Sequence, residues 1–304
     1  MQKELRHAII HQLWKTHRQS LSQFNLIENA LQKKNIHTLY LDHFAVIDLP
    51  SCHTGIPILR DMFTALGFTQ RGNDYLSDKQ NDFAWLAEIN CDQRPAKEVL
   101  PQVVVADFRL DELPIEVKII IENYAKQTKP SPLSHIQNLC AKLHGPSSKT
   151  ELINLFVNYF QGRDWPLPTL KEFHMVKEFN ELLAWVLING RCPNHFTLSI
   201  HLLDQFNDLN HFHQFIESLG LTLNQDGGKI KGSAAVGIEQ GSTIGLPKRV
   251  QLQDGAIELP GEFIEFVWRH PHDKNTQPQR WGDFFTDFIP QNANRVIESL
   301  YQKE

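Results

Sequence analysis

The sequence predicts an α+β fold in which two β-α-β-β-β modules form one curved sheet around a metal site, with N-terminal helices in front and a helical insert between the modules. Three observations carry this expectation. A strand-like segment with His-Phe near its start occurs twice, as Asp42-His43-Phe44 and Asn194-His195-Phe196. Each copy is followed by a helical pattern that stops at Leu-Gly and an apolar residue, Leu66-Gly67-Phe68 and Leu219-Gly220-Leu221. Strand, histidine, helix and stop recur in the same order, which is the mark of an internal repeat. Between the copies, residues 112–190 switch to helical periodicity punctuated by Pro and Gly.

Residues 1–35 read as two helices, because Leu5, Ile9 and Leu13, then Phe24, Ile27 and Leu31, recur at helical spacing. Residues 39–48 are a short apolar run closed by Pro50 and Ser51, which suits a buried strand. A helix over 58–66 stops at Gly67, and the stretch QVVVADFRL at 102–110 is the next clear strand. Segments 115–125, 134–143, 149–160 and 169–188 are predicted helices, separated by Pro130, Pro132, Gly145-Pro146 and Trp165-Pro166. After Gly190 come a strand over 194–203, a helix over 209–219, hairpin turns at Gly227-Gly228 and Asp254-Gly255, and a strong strand over 261–269. The expected organisation is one catalytic unit: helices at 1–35, a first β-rich module at 36–111, an insert at 112–190, and a second module with its tail at 191–304.

The chain has 304 residues, 41% of them hydrophobic and 21% charged, which is enough to bury a real core. Thirty Lys and Arg against 35 Asp and Glu leave a net charge of -5, with no electrostatic footprint for nucleic acid and no polybasic membrane patch. Apolar runs fall far short of the ~20 residues a membrane helix needs. The opening residues, Met1 to His7, mix both charge signs and lead into an amphipathic pattern, unlike a signal peptide. Cys52, Cys91, Cys140 and Cys192 are isolated, so neither a disulfide framework nor a zinc knuckle is indicated. A soluble, cytoplasmic protein is expected, with no nucleic-acid or membrane partner and an open oligomeric state. Fifteen histidines direct attention to a metal.

If the modules are related by a pseudo-twofold axis, His43 and His195 occupy equivalent strand positions and converge on a shared face. A lone histidine is more often a core or surface residue; symmetry-related placement favours ligands. The third ligand is sought on the strand containing Phe263, Glu265 and Val267, which share one side by strand alternation. Glu265 is flanked by apolar residues, where a carboxylate is costly unless paired or bound to a cation. Glu262, beside Gly261 at the strand entrance, reaches water more easily. Two His and one carboxylate form the ligand set of non-haem Fe(II) oxygenases. The same donors also suit zinc in hydrolases, or nickel, although no HExxH helix is present.

These segments resemble the 2-oxoadipate dioxygenase/decarboxylase (2-hydroxyglutarate synthase) family, in its short form. The likeness rests on Asp42-His43-Phe44-Ala45, Asn194-His195-Phe196-Thr197, Gln240-Gly241-Ser242-Thr243, the strand from Pro260 to Phe266, and Leu100 to Asp107 followed by Arg109-Leu110-Asp111-Glu112-Leu113. It covers most of the chain, and its paired core is similar to the vicinal-oxygen-chelate fold. The resemblance implies that His43, His195 and Glu265 bind Fe(II). It also implies that a 2-oxo dicarboxylic acid like 2-oxoadipate reacts with O2 to give a 2-hydroxy acid like 2-hydroxyglutarate and CO2. One departure stands out: where the family reads His-x-Ala-x-Arg, this chain ends the motif in Ile47, which cannot grip a distal carboxylate. Arg269, on the Glu265 side of its strand, is the expected substitute. Asp107 is a candidate outer support. Gln240, Ser242 and Thr243 are candidates for binding the oxo acid or a ligand, with turn chemistry beside Gly241 and Gly245 as the other reading. The rival functions are a metal-dependent isomerase, lyase or hydrolase that does not use O2, and a non-enzymatic small-molecule binding protein.

Overall fold

Helices α1 (Gln2–Ser20) and α2 (Ser22–Lys33) open the chain, as their periodicity predicts. The structure is a computed structural model that describes residues 2–142, 145–273, 275 and 277–300. Strand β1 (Leu41–Ile47), helix α3 (Ile56–Ala65) and strands β2 (Phe68–Leu76), β3 (Asn81–Glu88) and β4 (Gln102–Phe108) follow. Five helices come next: α4 (Ile115–Ala125), α5 (Leu133–Ala141), α6 (Pro146–Tyr159), α7 (Leu170–Phe179) and α8 (Glu181–Asn189). The second β-rich stretch comprises β5 (His195–Ser199), α9 (Leu209–Ser218), β6 (Lys231–Ser233), β7 (Ile238–Ser242), β8 (Pro247–Gln251), β9 (Ala256–Pro260) and β10 (Phe263–Arg269). Helix α10 (Pro290–Ile297) lies near the end of the described chain.

Eight strands form one mixed sheet in the order β2-β3-β4-β1-β5-β10-β7-β6, and β8 and β9 form a separate hairpin. The two central strands, β1 and β5, run antiparallel, while each lies parallel to the last strand of its own half, β4 or β10. Read outward from the centre, each half therefore runs first, last, third, second strand. This is the duplicated β-α-β-β-β arrangement expected from the repeat, with the β8–β9 hairpin inserted before the last strand of the second copy.

Strand alternation sends neighbouring residues to opposite faces. On the outer face Phe44, Val46, Val103, Val105 and Phe196 pack with α1, α3 and α6, and Leu198, Ile264 and Phe266 pack with α2 and α9. Phe44 and Phe196 stack across the β1–β5 seam at 4.7 Å between ring centroids. Each such fully buried side chain is worth about 1.5–3 kcal/mol of transfer free energy. On the inner face Ile47, Phe83, Ala106 and Phe263 meet α4, α7, α8, the β8–β9 hairpin and α10. Helix α8 is apolar on every side and buried from Leu182 to Ile188, as a helix enclosed by the fold must be.

Four sequence expectations need correction. The helix read over 169–188 is two helices, because Asn180 adopts extended backbone and its side chain accepts from the Leu183 N–H, capping α8. The strand read over 194–203 stops at Ser199 and gives way to a short 3-10 turn, Ile200–Leu202. Gly227-Gly228 forms a turn, but not a hairpin: on its two sides Leu223 pairs with Thr243, just past β7, and β6 pairs with β7, rather than with each other. Leu143, the expected end of the fifth helix, lies outside the described residues, and α5 ends at Ala141.

Candidate metal centre

Strands β1, β5 and β10 are neighbours at the middle of the sheet, and each turns one candidate side chain to the concave face. One ligand atom each from His43, His195 and Glu265 lies within 4.8 Å of the other two. His43 Nε2 is 3.1 Å and His195 Nε2 is 3.0 Å from the same carboxylate oxygen, Glu265 Oε2. The two imidazoles stand almost perpendicular, 5.5 Å apart at their centroids. All three residues are buried.

Register explains the convergence. Strand β10 pairs Phe263 with His195 and Glu265 with Thr197, while Phe44 of β1 faces Phe196 of β5. His43, Thr197 and Glu265 thus lie side by side across three strands, and His195 sits one step along β5 on the same face. Thr197 Oγ1 donates to Glu265 Oε2 at 2.7 Å and lies 3.1 Å from His43 Nε2. The sequence reading missed Thr197; its only signal is that it shares parity with His195.

Each ligand is held by a further partner. His43 Nδ1 donates to Asp42 Oδ1 at 2.8 Å, and His195 Nδ1 meets Asn194 Oδ1 at 2.7 Å. Both contacts fix the tautomer that turns Nε2 toward Glu265. Gln240 Nε2 donates to Glu265 Oε1 at 2.7 Å. Taken by themselves, the three side chains hold a proton. Burial opposes protonation of His43, but Glu265 and Asp42 outweigh it and lift the imidazole to about 9. Burial lowers His195 despite Glu265, and the histidines hold Glu265 well below the usual carboxylate range against its own burial.

The cluster fits a divalent cation. His195 Nε2 is buried yet has no hydrogen-bond partner: with the ring proton on Nδ1 and given to Asn194, Nε2 is a lone pair 3.0 Å from a carboxylate oxygen. With neutral imidazoles the buried carboxylate is uncompensated, and a 2+ ion supplies the missing charge. A cation at this point takes the place of the His43 proton.

The remaining candidates divide. Gln240 and Ile47 line the same cavity as the three clustered side chains. Arg269 does not: its guanidinium is bound bidentately by Asp42 at 2.7 and 2.8 Å and donates to the Phe285 and Asp287 carbonyls. Its expected role as the substrate's cation is corrected to that of a partner for Asp42. Ser242 faces Ser299 across 2.7 Å, and Thr243 Oγ1 accepts from the Ile264 N–H, so both serve the chain rather than the cavity. Asp107 accepts from the Ile56 N–H at the start of α3 and does not line the cavity. Glu262 pairs with Lys248 at the surface. His213 packs over Gly241, where a Cβ would come within 2.3 Å of its ring.

The cavity is small, about 50 Å³. Phe288 covers it edge-on to His43 at 4.8 Å, and Ala293, Val296 and Ile297 of α10 form a wall. Among the described residues, no helix is long and apolar enough to cross a membrane.

Comparison with known proteins agrees with this architecture. The chain is 26% identical over 280 residues to the chloroplastic 2-oxoadipate dioxygenase/decarboxylase of Arabidopsis thaliana, an alignment covering 88% of this chain and 69% of that protein. Its structure is similar to the crystal structure of hydroxyglutarate synthase from Oryza sativa in complex with 2-oxoadipate, with a TM-score of 0.78, 22% identity, and 98% and 93% of the two chains covered. A glyoxalase-superfamily protein from Ralstonia eutropha JMP134 shares the fold at a TM-score of 0.62 and 21% identity, over 76% of this chain and 72% of that one. The family model for 2-oxoadipate dioxygenase/decarboxylase matches residues 6–272. The chain belongs to that family of oxidoreductases.

Proposed function

We propose that this protein is an Fe(II)-dependent dioxygenase/decarboxylase in which His43, His195 and Glu265 hold the ion. It converts a 2-oxo acid and O2 into CO2 and the 2-hydroxy acid one carbon shorter. The observation that carries the reading is the buried triad with its unpartnered His195 Nε2, opening on a cavity in a chain of this family. When bound, Fe(II) supplies adjacent open positions for the oxo and carboxylate oxygens and a redox centre for O2. The overall change balances. C1 leaves as CO2, C2 becomes the new carboxylate with one oxygen atom of O2, and C3 gains the other as a hydroxyl.

The chain's own residues do four things. Asp42 and Asn194 orient the imidazoles. Thr197 and Gln240 each occupy one oxygen of Glu265 and fix its plane. The Arg269 pair keeps Asp42 ionised, so that His43 retains its acceptor. Phe288 and α10 close the cavity and exclude water from the reacting atoms.

The test is anaerobic loading with Fe(II), addition of 2-oxoadipate and a panel of other 2-oxo acids, and measurement of O2 consumed and CO2 released. One O2 per CO2 is expected for the true substrate. Turnover that continues without O2 would replace this reading with a lyase or isomerase.

A further inference from the structure

Building on the 2-oxo acid reading above, we infer that the substrate of this enzyme carries an apolar tail: it is a 2-oxo monocarboxylic acid, with no second carboxylate at its far end. The cavity is polar only at the metal-facing end and at Asn81. From His43 the same face of β1 continues through Ala45 to Ile47, four residues and about 13 Å along the strand. Register sets Val104 beside Ala45 and Ala106 beside Ile47, and Phe83 of β3 is next to Ala106. This floor is therefore unbroken hydrocarbon across three strands, and Val296 of α10 closes it from above.

No Lys or Arg lines the cavity among the described residues. Two buried cations lie beside the site and neither lines the cavity: Arg269 gives its guanidinium to Asp42 and two carbonyls, and Lys231, paired with Gln240 across β6 and β7, gives its Nζ to the Asn224 carbonyl at 2.9 Å. Lys79, which follows β2 at the margin, is ion-paired with Glu298 at 3.0 Å. Asn81 donates one of its two Nδ2 hydrogens to the Asp107 carbonyl at 2.7 Å, and its neutral amide offers a carboxylate no counter-charge. An ionised carboxylate pushed into such a space loses its hydration and finds no counterion. An alkyl tail loses only contact with water and gains contact with the lining. The reaction is indifferent to the choice, since R–CH2–CO–COO⁻ and O2 give R–CH(OH)–COO⁻ and CO2 for either kind of R. The tail is thus a matter of recognition, and Ile47 is the residue that sets it.

Two acids with the same six-carbon chain isolate the effect: 2-oxohexanoate ends in a methyl group and 2-oxoadipate in a carboxylate. Their binding to the Fe(II)-loaded protein is measured by calorimetry without O2, with metal content determined on the same sample. The expected result is that 2-oxohexanoate binds at least tenfold more tightly. Equal or tighter binding of 2-oxoadipate overturns the inference and leaves the 2-oxo acid chemistry standing. Failure of the metal-loaded protein to bind either acid overturns that chemistry, and the inference with it. An Ile47→Arg variant that retains its metal is expected to shift the affinity ratio at least tenfold toward 2-oxoadipate, and an unchanged ratio would place the tail elsewhere. Should that variant fail to fold, the wild-type comparison alone decides.

Discussion

The two halves of the sheet place a histidine at equivalent points yet support it with different chemistry. In the first half, His43 leans on a carboxylate, Asp42, which Arg269 of β10 binds bidentately. In the second half, His195 leans on the amide oxygen of Asn194, whose own Nδ2 has no hydrogen-bond partner. Duplication has kept the position and changed the electrostatics. A carboxylate behind an imidazole raises its basicity and strengthens it as a donor, whereas an amide only fixes its tautomer. Because Asp42 is paired, the first support adds no net charge, and its ion pair also ties β1 to β10 across the intervening β5.

The largest expected effect comes from removing what both halves share. Glu265→Ala should abolish metal retention, a loss beyond the about 10–100-fold that outer supports cost. Metal content after purification checks it, and a fully loaded variant would dissolve the idea of a common centre. Next in size, Asp42→Asn should weaken metal binding by about 10–100-fold. It should also cost about 3–5 kcal/mol of stability, because Arg269 is left as an unpaired buried charge. Adding Arg269→Gln should restore much of the stability without restoring the metal affinity. Asn194→Ala should weaken the metal less than Asp42→Asn does. Equal losses in chelator titrations would show that the two supports are equivalent after all.

How much of this the sequence discloses depends on the kind of signal. His43, His195 and Glu265 are legible because a repeat and a strand's alternation are local patterns, and a carboxylate inside an apolar run is conspicuous. Thr197 and the Asp42–Arg269 pair are not, because they depend on cross-strand register, which no stretch of sequence states. Strand parity places Arg269 on the correct face but is blind to a carboxylate two strands away. Strand β2 left little trace because it is a sheet edge whose residues from Thr69 to Tyr75 are exposed or half-buried, so it presents no apolar run. The break at Asn180 shows the converse, since an N-cap residue inside a periodic segment was a readable stop.

The smallest effect sharpens the comparison through pH. Three histidines outside the metal centre pack on the second half, His17 and His213 buried and His201 half-buried. His17 lies 5.1 Å from Phe196 between ring centroids, His213 lies 6.1 Å from Phe266, and His201 follows β5. Burial lowers them to about 3, 4 and 4, respectively. As pH falls through 6.5 the unfolded chain takes up protons that the folded one refuses, so stability drops until the folded values are reached. In the first half Asp48 has the opposite sign. Burial lifts Asp48, beside Arg191, to about 7, so its folded form gains a proton before the unfolded form does and becomes relatively more stable as pH falls from 7 toward 4. Each of these four groups is worth at most about 1.4 kcal/mol per pH unit, which leaves them a combined slope of at most about 3 kcal/mol per unit between pH 6 and 5. Chemical denaturation across that range should show stability falling with acid. Asp48→Asn should make the fall steeper and His17→Phe shallower, and hydrogen exchange at pH 5 should find β5 and β10 loosening before β3 and β4. Stability that holds level or rises from pH 6.5 to 5 would mean that these imidazoles are protonated within the fold.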